Sequence, residues 1–513
     1  MSGHHSTPPR GLTVPRSPLS QGRFGRMFRN LRPASFGATP DLNRQNLKNL
    51  ADRMSAGLDD PKDGQDGEES GIPALYTYFG QFIDHDITFD PVSSLTKASD
   101  PDGLVDFRTP ALDLDNLYGR GPGDQPYMYA ADGKQLALGE TLVGDGVPDA
   151  FDLPRFNGHA LIGDPRNDEN SIVSQLQGLF QRFHNRLCQD NPTLDLPTIQ
   201  KLVRFHYQYV ILNDFLPRLI SKPVLEALKT NGHFDQKALK FYHWHQTPFM
   251  PIEFSVAAYR LGHSMIRPGY RLNDADDMLL PIFPTETHPV GLAGFTIMAK
   301  GRAIDWGRFI DIDTRAYDGD DAAKKKRLQL AYRIDPSLVF PLSKLPPEVA
   351  PDFPPSLGYR NLERGWLLGL PSGQAVARAM HIDPLKDKDI LICKATDKVD
   401  PEDPNTKRVP ITEGAPHFAD NCPLWVYILA EAAHHKTKVE APVTEKTKIT
   451  TPQLGPVGGR IVAEVFLGML FGDGSSLLSL DPQWVPVSGS DFRLKDIVLY
   501  ALGQGFALSY PNG

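Results

Sequence analysis

The segment 80–86, which reads G-Q-F-I-D-H-D, carries an amide, an imidazole and two carboxylates. In a helix, Gln81 and His85 would lie one turn apart on one face, with Asp84 beside them. Asp86 would be rotated away from His85 by about 100°. A neutral imidazole can take a proton from a small substrate that an amide holds, and a diverging carboxylate can bind a cation. The segment therefore predicts a helix that serves two ligands, with a capped surface helix as the alternative.

A second segment with chemically useful side chains, 163–170, reads G-D-P-R-N-D-E-N. Asp164 is a suitable N-cap and Pro165 suits the first helical position, so the segment predicts the start of a helix. Arg166 and Glu169 would then share one face of that helix. The guanidinium of Arg166 stays charged and could stabilise negative charge on a reacting substrate. A surface pair of Arg166 and Glu169 is the alternative.

The helical pattern at 253–266 contains the sequence R-L-G-H-S at 260–264. Haem iron is commonly held by a His, and Gly262 beside His263 would let the backbone approach a flat macrocycle closely. A lone His among apolar neighbours is otherwise a satisfied core residue. A fourth segment, 359–364, reads Y-R-N-L-E-R and supplies Asn361, which could accept a hydrogen bond from a metal-bound imidazole.

These four segments resemble those of the animal-type haem peroxidases, the peroxidase-cyclooxygenase superfamily. The resemblance runs from about Pro73 to about Phe471. It indicates a bacterial-like member, since the vertebrate members are rich in disulfides and this chain has three cysteines. The resemblance implies a mainly α fold with a helical haem-binding core, long loops and little β structure. It also implies haem b as the cofactor.

For the distal side of the haem, the resemblance implies catalytic roles for His85, Arg166 and Gln81. It further implies that Asp84 and Glu169 can form ester bonds to haem methyl groups. These five residues all lie in the first two segments.

For the proximal side, the resemblance implies that His263 is the iron ligand and that Arg260 meets a haem propionate. Asn361 would accept a hydrogen bond from His263, which would raise the basicity of the ligand. Arg364, one helical turn after Asn361, would face the haem edge or its carboxylates.

These roles imply a haem peroxidase that reduces hydrogen peroxide and oxidises small donors through a ferryl intermediate. His85 would move a proton between the peroxide oxygens while Arg166 steadies the developing charge. The expected donors are phenols, iodide, bromide or thiocyanate. We expect weak chloride oxidation because Asn170 stands where the strongest chloride oxidiser of the family has a haem-linked Met.

The segment 109–119, which reads T-P-A-L-D-L-D-N-L-Y-G, predicts a calcium site. Oxygen-bearing candidates recur at every second residue, so an extended loop would aim Thr109, Asp113 and Asp115 to one side. The resemblance implies calcium bound by this loop together with the carboxylate that follows the distal His. The implied ligands are Thr109, Ala111, Asp113, Asp115 and Asp86. A solvated acidic turn is the alternative.

The composition, with 40% hydrophobic and 23% charged residues, is typical of a soluble globular protein. A net charge of -8 without a Lys/Arg-rich face argues against nucleic-acid binding. No apolar run is long enough to span a bilayer, and the N-terminus lacks the apolar core of a secretory signal. We therefore expect a cytoplasmic protein or one exported by a non-standard route.

The chain is expected to have two regions. Residues 1–40, rich in Pro, Arg, Gly and Ser, predict a poorly ordered or surface-lying arm, and 41–513 a single haem peroxidase catalytic domain. Helical patterns recur at 171–189, 197–220, 253–266, 372–381, 423–434 and 456–471.

Two other functions stay open at this stage. The run Y-H-W-H at 242–245 resembles the cyclooxygenase branch, in which such a run supplies both a radical Tyr and the proximal His of a fatty-acid oxygenase, and Tyr242 would carry the radical. Tyr242 is otherwise an aromatic core residue. The second alternative is a non-catalytic, calcium-stabilised binding module, although the presence of both His85 and Arg166 argues against it.

Overall fold

The computed structural model describes residues 24–56, 63, 66–88, 110–144, 147–274, 279–316, 319–347, 349–350, 354–393, 408–441 and 447–510. The protein is mainly helical, which confirms the predicted fold class. Strands in the described ranges pair only two at a time, so the sheets are small. In the same ranges, no helix is both long and apolar enough to cross a bilayer.

The described helices and strands follow one another with long irregular connections between them. The α-helices are α1 (Pro40–Met54), α2 (Leu75–Ile87), α3 (Asp115–Tyr118), α4 (Ser171–Asp190), α5 (Leu196–Val210), α6 (Leu216–Leu219), α7 (Lys222–Glu226), α8 (Asp321–Lys326), α9 (Leu357–Leu367), α10 (Gly373–Ala379), α11 (Leu424–Ala432), α12 (Pro456–Gly472), α13 (Leu477–Leu480) and α14 (Leu494–Ala501). The paired strands are Phe24–Gly25 with Met250–Pro251, Glu69–Pro73 with Leu330–Tyr332, Thr141–Gly144 with Val147–Phe151, Arg155–Phe156 with His159–Ala160, Lys229–Thr230 with His233–Phe234, Gly269–Tyr270 with Leu280–Pro281, Leu391–Ile392 with Val409–Pro410, and Lys436–Glu440 with Lys448–Pro452.

Four predicted helices are confirmed within a few residues of their expected bounds, namely α4, α10, α11 and α12. The pattern at 197–220 is interrupted: α5 ends at Val210, a π-helical turn spans Ile211–Phe215, and α6 follows. Pro217 has no backbone N–H to donate, and an extra residue in the preceding turn accommodates that loss.

The predicted helix at 253–266 is wrong in type. A π-helical turn over Glu253–Ala257 passes into a 3-10 run over Ala258–Met265, and no regular α-helix forms there. Apolar periodicity alone does not separate three from 3.6 residues per turn over so short a segment. The change matters because it alters which side chains lie above one another.

A cluster of aromatic rings fixes α2 in the core. The rings of Phe82 and Phe180 stack with centroids 4.7 Å apart, and Tyr207 from α5 meets both edge to face. Phe79 packs edge to face against Phe215 at 5.5 Å. Such rings bury large apolar areas, so α2 is held by α4, α5 and the turn that follows α5.

The N-terminal part of the chain packs against the body of the protein from residue 24 onward. Arg26 donates to the carbonyl oxygens of Leu368 and Gly369, at 2.6 and 3.0 Å. Phe28 is buried, and Phe24, four residues earlier, pairs in parallel with Met250. The described part of the predicted arm is therefore fixed to the core. The division of the chain into an arm and one domain stays a prediction.

Glu253 should be important for this attachment. Its buried carboxylate accepts hydrogen bonds from the backbone N–H groups of Met27 and Phe28, both at 3.1 Å. Glu253→Ala leaves both donors without that partner, so we expect the free energy of unfolding to fall by about 1–3 kcal/mol. Urea unfolding followed by tryptophan fluorescence measures the change.

The matched control is Glu226→Ala, which removes an exposed carboxylate and should change the free energy of unfolding by less than about 0.5 kcal/mol. Equal effects of the two substitutions would show that the buried carboxylate does not anchor the N-terminal segment.

Candidate active site

The first predicted site segment is helical, as expected. Gln81 and His85 lie one turn apart within α2, and His85 is only 5% exposed. Nδ1 of His85 lies 2.7 Å from Oδ1 of Asn167, a residue that the sequence did not point to. Because the ring is bonded through Nδ1, its Nε2 is turned toward Glu169, whose Oε1 lies 4.0 Å away.

The imidazole of His85 is neutral at pH 7. Burial lowers its pKa to about 4, and the charge of Arg166 acts in the same direction, against the carboxylates of Asp164 and Asp84. A neutral imidazole with one nitrogen turned toward a cavity can act as a proton acceptor.

Glu169, Gln81 and Asn170 form a hydrogen-bonded group beside His85. Nε2 of Gln81 donates to the Glu169 carboxylate, and Nδ2 of Asn170 donates to Oε1 of Gln81 at 3.3 Å. Asn170 is also the N-cap of α4, since its side chain accepts from the N–H groups of Ile172 and Val173. Burial raises the pKa of Glu169 to about 7, against the charge of Arg166.

The helix predicted to begin at Asp164 begins later. Asp164 caps only a 3-10 turn over Pro165–Asp168, and α4 starts at Ser171 under the cap provided by Asn170. Both residues are good N-caps, and the second one ends the short turn and starts the long helix. Arg166 and Glu169 are consequently presented by a tight turn.

Arg166 is fixed in place by its own turn and by the end of α2. Its Nε and Nη2 donate to the Asp164 carboxylate at 3.1 and 2.9 Å. Nη2 also donates to the carbonyl oxygens of His85, at 3.1 Å, and Thr88. The guanidinium of Arg166 thus lies against α2, close enough to lower the pKa of His85.

Asp168 provides further support for this turn. Its carboxylate accepts two hydrogen bonds from Arg155, at 2.6 and 2.7 Å, and Arg155 also binds Asp152. This buried bidentate pair holds the turn against the hairpin that carries Arg155. No sequence pattern indicates the pairing, because Arg155 and Asp168 lie in separate polar segments.

The proximal segment places Arg260 and His263 on one face. Side chains three residues apart eclipse in a 3-10 helix, so Arg260 lies above His263. Asn361 in α9 lies with Nδ2 2.8 Å from Nδ1 of His263. A half-turn of this amide would present its oxygen to an Nδ1–H and leave Nε2 of His263 with a lone pair.

The imidazole of His263 is also neutral. Burial lowers its pKa to about 3, and Arg260 acts in the same direction, against the carboxylate of Asp84. Trp425, which the sequence did not indicate, meets the ring edge to face with centroids 6.4 Å apart and donates to the carbonyl of Arg260 at 3.3 Å. Arg364 is half-buried on α9, one turn after Asn361.

The two histidine segments contact each other. The hydroxyl of Tyr259 donates to the carbonyl of Gly80 at 3.2 Å, which joins the proximal run to α2. The charge of Asp84 raises the pKa of both His85 and His263, against the lowering by burial and by a nearby arginine. A Cβ at Gly262 would have no atom within 4 Å, so the space beside His263 is open.

The residues around His263 are suited to a flat ligand with an iron atom. His263 keeps accessible surface although burial lowers its pKa, which is the combination expected of a side chain that lines an internal cavity. Its neutral nitrogen is a suitable iron ligand, and glycine beside it allows close approach of a ring.

The calcium loop departs from the prediction. Leu114 has a left-handed conformation, with φ of 62°, and α3 begins at Asp115, so the loop is not extended there. Asp86 is fully buried and accepts from the hydroxyl of Tyr207 at 3.2 Å. Burial raises the pKa of Asp113 well above its usual range, and the charges of Asp115 and Asp86 add to this effect.

These carboxylates therefore lie near one another, and Ala111 is buried beside them in the same loop. Across the described ranges, however, no three His, Cys, Asp or Glu side chains are arranged as a metal site. Thr109 lies outside the described residues. The structure thus brings like charges together, and the binding of calcium by these residues stays a prediction.

The residues that suggested a fatty-acid oxygenase lie in the core or at the surface. Tyr242 is fully buried, with its hydroxyl donating to the carbonyl of Phe249 at 2.7 Å and accepting from the N–H of that residue at 2.9 Å. His243 and His245 are exposed. Tyr242 thus has the role of an aromatic core residue, and an exposed His245 cannot ligate an interior iron.

Part of the chain matches a known protein family. A family model described as animal haem peroxidase matches residues 95–288. The chorion peroxidase of Aedes aegypti is 29% identical over 117 residues, which is 21% of this chain and 15% of that protein. The chain thus spans only a small part of that relative.

Solved structures show the fold over nearly the whole chain. Peroxidase A from Dictyostelium discoideum aligns with a TM-score of 0.61 at 17% identity and covers 96% of this chain and 94% of that one. The fatty acid alpha-dioxygenase of Oryza sativa aligns with a TM-score of 0.54 at 16% identity and covers 96% and 85%.

Residues 95–288 thus resemble the animal haem peroxidase family, and this match covers less than half of the chain. Members of this family bind haem. The structural neighbours include both a peroxidase and a dioxygenase, so at these identities they establish the fold and leave the reaction open.

The carboxyl group of Glu169, whose side chain is 35% exposed, gives a test of the site geometry. With a pKa of about 7, it should carry a proton at pH 6 and lose it by pH 8. Infrared difference spectra between the haem-free protein and its Glu169→Gln variant should show a protonated carboxyl band that disappears around pH 7.

Burial also raises the pKa of Glu431 to about 7. Glu431 is present in both proteins, so its band cancels in the difference spectrum. A band that disappears near pH 4.5 instead would show that Glu169 is solvated and does not line a buried pocket.

Proposed function

We propose that the protein is a haem peroxidase that reduces hydrogen peroxide and oxidises small donors such as phenols, iodide, bromide or thiocyanate. The observation that carries the proposal is a pair of neutral imidazoles, His85 and His263, on segments that contact each other. One imidazole is suited to hold iron and the other to move protons.

The haem would be held by His263, with Asn361 accepting from its Nδ1–H and Arg260 and Arg364 placed for its carboxylates. When bound, haem supplies the iron that exchanges electrons with peroxide and donor. Asp84 and Glu169 are proposed as ester-forming residues, and Glu169 would have to release Gln81 to reach a haem methyl group.

The proton steps fall to His85. Its Nε2 accepts a proton from one peroxide oxygen and returns that proton to the other oxygen as the O–O bond breaks, so that water leaves. Gln81 positions the peroxide by hydrogen bonds, and the charge of Arg166 stabilises negative charge on the departing oxygen. In total, one hydrogen peroxide and two phenols give two waters and two phenoxyl radicals. With iodide, bromide or thiocyanate, one hydrogen peroxide, one anion and one proton give one water and the hypohalous or hypothiocyanous acid.

The His85→Leu variant tests this assignment. Proton transfer by a positioned side chain contributes roughly 10²- to 10⁴-fold, so the rate of reaction with peroxide should fall by that factor while haem binding is kept. Stopped-flow visible spectra of the haem-loaded protein measure the rate.

The matched control is His243→Leu, which removes an exposed imidazole and should leave the rate unchanged. Wild-type rates in the His85 variant would exclude His85 as the proton acceptor. A wild-type protein that binds haem without reacting with peroxide would instead favour a non-catalytic binding module or an oxygenase.

We also propose that calcium binds beside the distal helix. The carboxylates of Asp86, Asp113 and Asp115 lie near one another in a buried region, and a hard cation would relieve their repulsion. Because Asp86 follows His85 directly, such an ion would fix the end of α2.

Removal of calcium should destabilise the protein. At free calcium 100-fold above its dissociation constant, binding adds about 2.7 kcal/mol to the free energy of unfolding. The melting temperature should therefore rise in calcium relative to a chelator, and Asp113→Asn should abolish the difference.

The control for this measurement is Asp124→Asn, which removes an exposed carboxylate on the same stretch of chain and should keep the calcium effect. Equal melting temperatures of the wild-type protein in calcium and in chelator would contradict the proposed site.

A further inference from the structure

We infer that Asn167 is a positioning residue that fixes the tautomer of His85 through the contact between its Oδ1 and Nδ1 of the imidazole. The inference rests on the proposed function for its consequence in turnover, but the hydrogen bond itself is a property of the haem-free protein. Asn167 is fully buried, and its Oδ1 lies 2.7 Å from Nδ1 of His85.

A second amide sets the orientation of Asn167. Its Nδ2 donates to Oε1 of Gln177 at 2.8 Å, and Gln177 is fully buried in α4. With Nδ2 engaged in this way, Oδ1 is the atom that faces the imidazole. An amide oxygen can only accept, so Nδ1 of His85 must carry the proton.

The consequence concerns the other nitrogen of the ring. A neutral imidazole has one N–H and one lone pair, so a proton on Nδ1 leaves the lone pair on Nε2. Nε2 is the atom turned toward Glu169 and the cavity. Without Asn167 the ring could carry its proton on Nε2, and that tautomer cannot accept a proton from peroxide.

Asn167 acts within a turn that also carries the proposed catalytic Arg166 and the carboxyl group of Glu169. The 3-10 turn that carries these side chains therefore also sets the proton acceptor on α2. This hydrogen bond joins α2 to the 3-10 turn in addition to those that Arg166 donates to the carbonyl oxygens of His85 and Thr88.

The direct test is the tautomer of His85 in the haem-free protein. Imidazole ¹⁵N shifts of ¹⁵N-histidine-labelled protein, assigned with His85→Gln, should show an Nδ1–H tautomer in the wild type. Asn167→Leu, of similar size, should give the Nε2–H tautomer or a mixture. Asn167→Asp keeps an acceptor and should restore the Nδ1–H tautomer.

An Nε2–H tautomer in the wild type would mean that both amides are turned the other way, and it would overturn the inference. An unchanged Nδ1–H tautomer in Asn167→Leu would overturn it equally. A melting temperature and a haem content equal to those of the wild type identify variants that have kept the fold.

The kinetic test uses the haem-loaded protein. The rate of reaction with peroxide should fall by about 10- to 100-fold in Asn167→Leu, as is typical when a residue that orients an active group is removed. Asn167→Asp should recover most of that rate. A fall of less than twofold in Asn167→Leu would contradict the positioning role.

The two tests separate this inference from the proposed function. A wild-type protein that does not react with peroxide would contradict the proposed function. The ¹⁵N shifts would still decide whether Asn167 sets the tautomer of His85.

Discussion

The arrangement of the site depends on keeping two buried imidazoles neutral and fixed in direction. His85 and His263 each have a lowered pKa because they are buried, and each is held at Nδ1 by an asparagine amide. The remaining nitrogen of each ring is thereby aimed away from its asparagine. Burial alone would leave the rings free to rotate, and the amides alone would not keep them uncharged.

The rest of the fold keeps these two rings in register. Aromatic packing between Phe82 and Phe180 holds the distal helix to α4, and the contact from Tyr259 to Gly80 joins that helix to the proximal run. The proximal run is irregular, and its 3-10 geometry places an arginine above the proposed iron ligand. Irregular helical turns of this kind are common at functional sites, where a regular helix would aim side chains elsewhere.

Much of the site could be predicted from local patterns, because the segment 80–86 fits a helix and the four segments match one family. The start of α4 was misplaced since Asp164 and Asn170 are both good caps. The sequence pattern predicts an extended calcium loop because periodicity carries no information about the positive φ at Leu114. Asn167 was missed because an Asn in a polar stretch gives no sign of burial, which only the packing of distant segments produces.

The most direct measurement is iron anomalous diffraction from crystals of the haem-loaded protein. Our arrangement predicts one iron at bonding distance from Nε2 of His263, with the ring of His85 on the opposite face of the macrocycle. Iron held by His243, His245 or any other side chain, or a protein that takes up no haem, would contradict it.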